Sequence, residues 1–271
     1  MNTDNYSEQT LLNGELIPNS EMCRLAFSGF AHFTALQVRD RKIKGMDLHL
    51  ERLKNASMTF FGKTVPDEIV RCYVRTALEK GPADLSLTVT VYSPKGEFTS
   101  ESMDIEPKVL IRTSAPSNGP DGPLKLAAIH HQRPLAHIKH VGEIGKTYYL
   151  HQAIRQGFDD AVFIDNNNRI SEGTIWNMAF WDGETIVWPK ADMLKGTMMT
   201  MVQRQLTKLD IPQRTEPVTI EHLAELTGAV VMNSWTPGIN VSEISSHKFP
   251  QSNELSALLH NAYKNELAEE V

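Results

Sequence analysis

The sequence predicts an α+β protein of two domains: a small α/β domain, then a larger mixed sheet or barrel with helices packed on it. Three observations predict this. Two hairpin signals and two helix-period segments fall within the first 113 residues. The stretch "TSAPSNGPDGP" (113–123) concentrates Pro, Gly, Ser and Asn, the residues of turns and linkers. Beyond it, strands and helices follow one another without regular βαβ alternation. We therefore divide the chain into a domain at 1–113, a linker at 114–123 and a domain at 124–271.

In the first domain, "TLLNGELIP" reads as a hairpin turning at Asn13-Gly14, and "HFTALQVRDRKIKGM" as a second turning near Asp40-Arg41. "DLHLERLKNASMTFFG" carries Leu48, Leu50, Leu53, Ala56 and Phe60 at helical spacing, with Asp47 as its N-cap. "PDEIVRCYVRTALEKG" is a second helix, started by Pro66 and stopped by Gly81. "DLSLTVTVYS" alternates as a strand does, and "KVLIRTS" is a short apolar strand. In the second domain, "LKLAAIH" is a strand and "TYYLHQAIRQG" a helix, followed by strand "DAVFID". "RISEGTIWNMAFW" reads as one strand, turned at Asp182-Gly183 into "ETIVWP". "GTMMTMVQRQLTKLD" is a helix, "TIEHLAELTG" a short one, "AVVMNSW" a buried strand and "NELSALLHNAYKNELAEE" a terminal helix.

Composition narrows the function. With 41% hydrophobic and 22% charged residues, the chain can bury a sizeable core. A net charge of −6 argues against nucleic acid or an anionic membrane as main partner, because nothing offsets phosphate repulsion. Cys23 and Cys72 form no CxxC pair, so neither a disulfide framework nor a zinc site is expected. The polar start "MNTDNYSEQT" is not a signal peptide, and no apolar run approaches the roughly 20 residues of a membrane span. The expected compartment is the cytoplasm.

Two lysines compete for chemical meaning. Lys146 sits in "GKT", the end of a phosphate-binding loop of pattern G-x-x-x-x-G-K-[ST]. The first glycine of that pattern would be residue 140, which is His140, so the loop reading fails where backbone must approach phosphate. Lys146 then reads as a solvated lysine near a helix start. Lys139, in "IKH", has better company. A lysine amine forms a Schiff base with an aldehyde cofactor. Pyridoxal phosphate further needs an anion cradle and a carboxylate beside its ring nitrogen. "LKGT" opens a helix at Gly196, whose free N–H groups suit an anion. Arg52 offers a charge-assisted contact to phosphate, Thr236 a hydroxyl, and Glu172 a carboxylate at a strand end. Taken singly, each also reads as an ordinary residue: Arg52 as a surface partner of Glu51 or Asp47, Glu172 as a turn carboxylate, Gly196 as a plain helix start.

In order and spacing, "HLERL" (49–53), "IKH" (138–140), "ISEGTIWN" (170–177) and "LKGTMM" (194–199) resemble the fold-type IV pyridoxal-phosphate enzymes, the class IV aminotransferases. That family includes branched-chain and D-amino-acid aminotransferases and aminodeoxychorismate lyase. Lys139 and Glu172 lie 33 residues apart (172 − 139), and with "LNGELI" and "VMNSWTP" the resemblance spans nearly the whole chain. It implies the two-domain fold-type IV architecture. It makes Lys139 the Schiff-base lysine, Glu172 the partner of the ring nitrogen and Arg52 a phosphate ligand. Gly196, Thr197 and Met198 become the phosphate turn, and Asn177 a structural residue near the phosphate. It gives Lys146 no role, and implies a homodimer.

The sequence departs from the aminotransferase pattern in places. Thr34 stands where a glutamate is usual, Met198 where a threonine is usual, Ile144 at a frequent tyrosine, and Trp235 at a rim of small residues. "FTA", the methionine and "IKH" look more like the lyase branch. The first reading is thus an aminotransferase moving an amino group between an amino acid or amine and a keto acid. The alternative is aminodeoxychorismate lyase-type elimination, giving pyruvate and an aromatic amine, with Thr34 as its added catalytic residue. A third is a non-catalytic relative that only binds. His130, His131, His137 and His140 surround Lys139 without a metal-ligand spacing, so no metal is expected. His32 either points into a substrate pocket or is a hydrogen-bonded strand histidine. Arg24, Arg39 and Arg133 are unranked candidates for a substrate carboxylate.

Overall fold

The computed structural model describes residues 8–17, 21, 29–79, 81–95, 97–103 and 105–271. The chain forms two compact units. The first comprises 1–117, Ile138–Gly142 and Leu267–Val271; the second comprises Asn118–His137 and Glu143–Glu266.

The first unit is one seven-stranded sheet covered by two helices. Its strands are β1 (Thr10–Leu12), β2 (Glu15–Leu16), β3 (Ala31–Arg39), β4 (Lys42–Lys44), β5 (Leu85–Tyr92), β6 (Lys108–Ser114) and β16 (Ala268–Glu269). They lie in the order β16-β4-β3-β5-β6-β1-β2, every pairing antiparallel. Both expected hairpins are present. Asn13 and Gly14 turn at φ 49° and 84°, Asp40 and Arg41 at 52° and 59°, so both central residues are left-handed, as a two-residue turn joining twisted strands requires. Leu36, Val38, Leu87, Val89 and Ile111 project from one sheet face. They pack against Leu50 and Leu53 of α1 (Met46–Phe61) and Val70 and Val74 of α2 (Asp67–Glu79). The N-cap of α1 is Gly45, with φ 68° and no side-chain cap; Asp47 lies inside the first turn instead.

The second unit is a nine-stranded mixed sheet. Its strands are β7 (Leu124–His130), β8 (Asp160–Ile164), β9 (Ile170–Gly173), β10 (Asn177–Trp181), β11 (Ile186–Pro189), β12 (Gln213–Glu216), β13 (Gly228–Asn233), β14 (Thr236–Ile244) and β15 (His247–Lys248). The path runs β12-β11-β10-β13-β14-β7-β8-β9, with β15 on β14. The pairs β11/β12, β14/β7 and β7/β8 are parallel. Helix α3 (Ile144–Arg155) packs on β7 and β8, while α4 (Thr197–Lys208) and α5 (Glu254–Lys264) pack on each other and on β13 and β14. No described helix is long and apolar enough to cross a membrane.

Four expectations need correction. The stretch "RISEGTIWNMAFW" is two strands, because Asp160 captures the Thr174 hydroxyl and the Trp176 indole N–H and pulls the chain into a turn between them. The segment "TIEHLAELTG" holds only a 3₁₀ turn, Glu221–Glu225. The last helix ends at Lys264, where Glu266 is held by Arg204 and Gln205, and the chain continues as β16 on β4. Lys139, assigned from sequence to the C-terminal domain, packs with the first unit. The Phe33 N–H donates to the Lys139 carbonyl (2.8 Å) and the Val141 N–H to the Ala31 carbonyl (2.9 Å), laying residues 138–142 along β3.

Candidate active site

In the first unit, the site residues gather on β3, α1 and the segment bearing Lys139. Lys139 Nζ lies 4.7 Å from the Phe33 ring centroid, a cation–π distance. Thr34, next along the strand, is fully buried, and its Oγ1 is 2.7 Å from His49 Nδ1. His49 and Arg52 are one turn apart on α1 and share a face. Burial, reinforced by Arg52, holds the His49 imidazole near pKa 3, so it is neutral at pH 7. Burial pulls the Arg52 guanidinium down to about 10. His32 is the hydrogen-bonded strand histidine: it is fully buried, with Nε2 2.8 Å from Ser57 Oγ. Its Nδ1 has no hydrogen-bond partner among the described residues, and burial lowers its pKa to about 3. Arg39 binds Gln37 and the carbonyls of Val38 and Ser117. Arg24 lies outside the described residues.

In the second unit, Glu172 closes β9 and is only 4% exposed. Arg133 Nη1 donates to Glu172 Oε1 at 2.6 Å. The same guanidinium donates through Nε to Glu143 Oε2 (3.1 Å), through Nη2 to Glu143 Oε1, and to the Ala136 carbonyl (3.0 Å). Arg133 is therefore committed to internal carboxylates rather than to a substrate carboxylate. Lys146 corrects the reading of a solvated side chain. It is 8% exposed, with Nζ 3.9 Å from Glu143 Oε1 and 4.0 Å from Glu172 Oε2. Burial lowers its pKa, against the pull of Glu172.

The strand bearing Glu172 is anchored by Asp160, whose Oδ1 accepts from Thr174 (2.6 Å) and Oδ2 from Trp176 Nε1 (2.8 Å). Burial raises the Asp160 pKa, partly offset by those hydrogen bonds. Sequence reasoning missed Glu143 and Asp160 and misjudged Arg133 and Lys146. The available signal was the pairing of Arg133 with Glu143, flanking "IKH" at both ends.

The expected phosphate turn opens a helix. Helix α4 begins at Thr197 with Gly196 as N-cap and no side-chain cap. Its first N–H groups therefore lack intrahelical partners. Asn177 Nδ2 donates to the Leu194 carbonyl at 2.7 Å. A Cβ on Gly196 would stand 2.0 Å from Asn177 Oδ1, so any side chain there would force this asparagine to shift. Thr197 and Met198 are buried in the first turn. Thr236 is buried at the start of β14, and β13 separates it from Asn177 on β10. Trp235 meets the edge of buried Trp176, ring centroids 5.9 Å apart. Among the described residues, no group of three His, Cys, Asp or Glu could hold a metal.

The fold is shared with solved enzymes at low identity. A branched-chain aminotransferase from Thermoproteus uzoniensis, solved with norvaline, is 17% identical with a TM-score of 0.81, covering 95% of this chain and 94% of that one. A candidate 4-amino-4-deoxychorismate lyase from Legionella pneumophila is 16% identical with a TM-score of 0.80, covering 88% and 92%. A hypothetical aminotransferase from Mycobacterium tuberculosis, in its PLP-bound form, is 18% identical with a TM-score of 0.75, covering 94% and 98%. A sequence search of curated proteins finds no match. The sequence model described as "Amino-transferase class IV" matches residues 31–244, a span holding Lys139, Glu172 and the Gly196 turn. The chain belongs to the class IV aminotransferase family.

Proposed function

We propose that this protein is a pyridoxal-phosphate-dependent aminotransferase that moves an amino group between an amino acid, or amine, and a keto acid. The observation that carries the reading is Glu172, a buried carboxylate paired with buried cations, in the family segment where a ring-nitrogen partner is expected. The donor set fits the cofactor: an amine at Lys139, a partly buried guanidinium at Arg52, and an open helix start that a side chain on Gly196 would disrupt.

When bound, pyridoxal phosphate supplies an electron sink for the pair left at the substrate carbon. Lys139 would hold the cofactor covalently. Once free, its amine would take the proton from the substrate Cα and deliver it to the carbon that came from the cofactor's aldehyde. Glu172 would accept a hydrogen bond from the protonated ring nitrogen. In the first unit Arg52 would be a phosphate ligand; in the second the N–H groups of Thr197 and Met198 and the Thr236 hydroxyl would donate to phosphate, while Asn177 fixes the turn through the Leu194 carbonyl.

A second reading, elimination from aminodeoxychorismate to pyruvate and an aromatic amine, is favoured by one observation. The Thr34 hydroxyl has the neutral His49 imidazole behind it. An amino donor added to the loaded protein without an acceptor separates the two. Conversion to the pyridoxamine spectrum supports transamination. Pyruvate release from aminodeoxychorismate, lost in Thr34→Val, supports elimination. The reading further takes the enzyme to be a cytoplasmic homodimer. Ile144 and Tyr148, one turn apart on α3 and 87% and 55% exposed, are apolar surface suited to a second copy. Light scattering of the purified protein tests the dimer.

A further inference from the structure

We propose that Lys146 is a positioning residue for Glu172: with Arg133 and the partly buried Glu143 it forms a cluster of two cations and two carboxylates that aims the buried Glu172 at the ring nitrogen of the cofactor. This rests on the reading of Glu172 given above, and extends it to a lysine for which that reading has no role.

The geometry gives each Glu172 oxygen its own cation. Oε1 takes Arg133 Nη1 at 2.6 Å, and Oε2 faces Lys146 Nζ at 4.0 Å. The two cations differ in freedom. Arg133 is gripped at Nε, Nη1 and Nη2 by Glu143, Glu172 and the Ala136 carbonyl. Lys146 is close enough to both carboxylates to act through a low-dielectric interior, yet beyond direct hydrogen-bond reach of either. The formal charges of Arg133, Lys146, Glu143 and Glu172 cancel. Without Lys146, the buried Glu172 and the partly buried Glu143 would share one guanidinium, and Glu172 Oε2 would have no cation facing it from this cluster. A carboxylate in that state rotates or takes a proton, and either change weakens its hold on a ring N–H. The cluster also ties together the chain on both sides of Lys139. Arg133 and Glu143, ten residues apart, bind each other across the segment that carries it.

The test is a double-mutant cycle read as pyridoxal phosphate affinity of the cofactor-free full-length protein. The variants are Lys146→Met, Glu172→Gln, the double variant and Lys146→Arg. Each single neutral variant is expected to weaken binding by about tenfold. The double variant should bind no more weakly than the weaker single one, because Lys146 acts through Glu172. Lys146→Arg should restore affinity and the wild-type pH profile of the bound cofactor's absorbance, which Lys146→Met shifts. Unchanged affinity in Lys146→Met, or losses that multiply in the double variant, would overturn the proposal. If Glu172→Gln alone leaves affinity and spectrum unchanged, the ring-nitrogen role of Glu172 fails instead. Should Lys146→Met not fold, Lys146→Gln takes its place. If neither folds, Lys146 is a structural cation and the proposal is overturned.

Discussion

Asp160 shows how a single side chain can set a site it does not enter. All three groups it binds are donors: the Thr174 hydroxyl, the Trp176 indole and the Ala161 N–H. An amide at that position must turn its own donor toward one of them. Asp160→Asn is therefore expected to destabilise the protein by about 1–3 kcal/mol, read by urea denaturation. The buried histidines give a pH prediction. Both His32 and His49 are held by burial near pKa 3, below the ordinary histidine value of 6.5. Above pH 6.5 they are neutral in folded and unfolded chains alike. Between 6.5 and 3 the unfolded chain takes up protons that the folded chain refuses, so stability falls as pH falls. The loss by pH 5 should be on the order of 2 kcal/mol per histidine, and His49→Gln should make the pH dependence shallower. Residue identity and order nominate Lys139, Glu172, Arg52 and the Gly196 turn as candidates. Lys146 was misread because burial is a tertiary property: nothing local distinguishes a buried lysine facing two carboxylates from one facing water.

Among the elements, the strands and helices with strong periodicity were legible, and those governed by distant partners were not. The break between β9 and β10 depends on Asp160, ten residues before β9 begins. The central strand β14 was missed because Pro237 and Gly238, poor strand formers, stand near its start. The start of α4 was legible, since glycine before a helical run is a local signal. There, Gly196→Ala is expected to force Asn177 aside and cost about 1–3 kcal/mol by overpacking. Weaker binding of pyridoxal phosphate with little change in helix content by circular dichroism is the expected result. Unchanged affinity would show that the turn does not hold the phosphate.

For the whole molecule, the α+β class was visible in the pattern of elements. The return of residues 138–142 and 267–271 to the first unit was not, because it depends on strand edges that only the folded sheet creates. That return determines the setting of the proposed reactive amine, beside Phe33 and on the edge of β3. Borohydride reduction of the cofactor-loaded protein, followed by peptide mass spectrometry, tests that assignment most directly. The account predicts a single phosphopyridoxyl adduct on the peptide containing Lys139, absent in Lys139→Ala and retained in Lys146→Ala. An adduct on Lys146, or none after loading with pyridoxal phosphate, would contradict it.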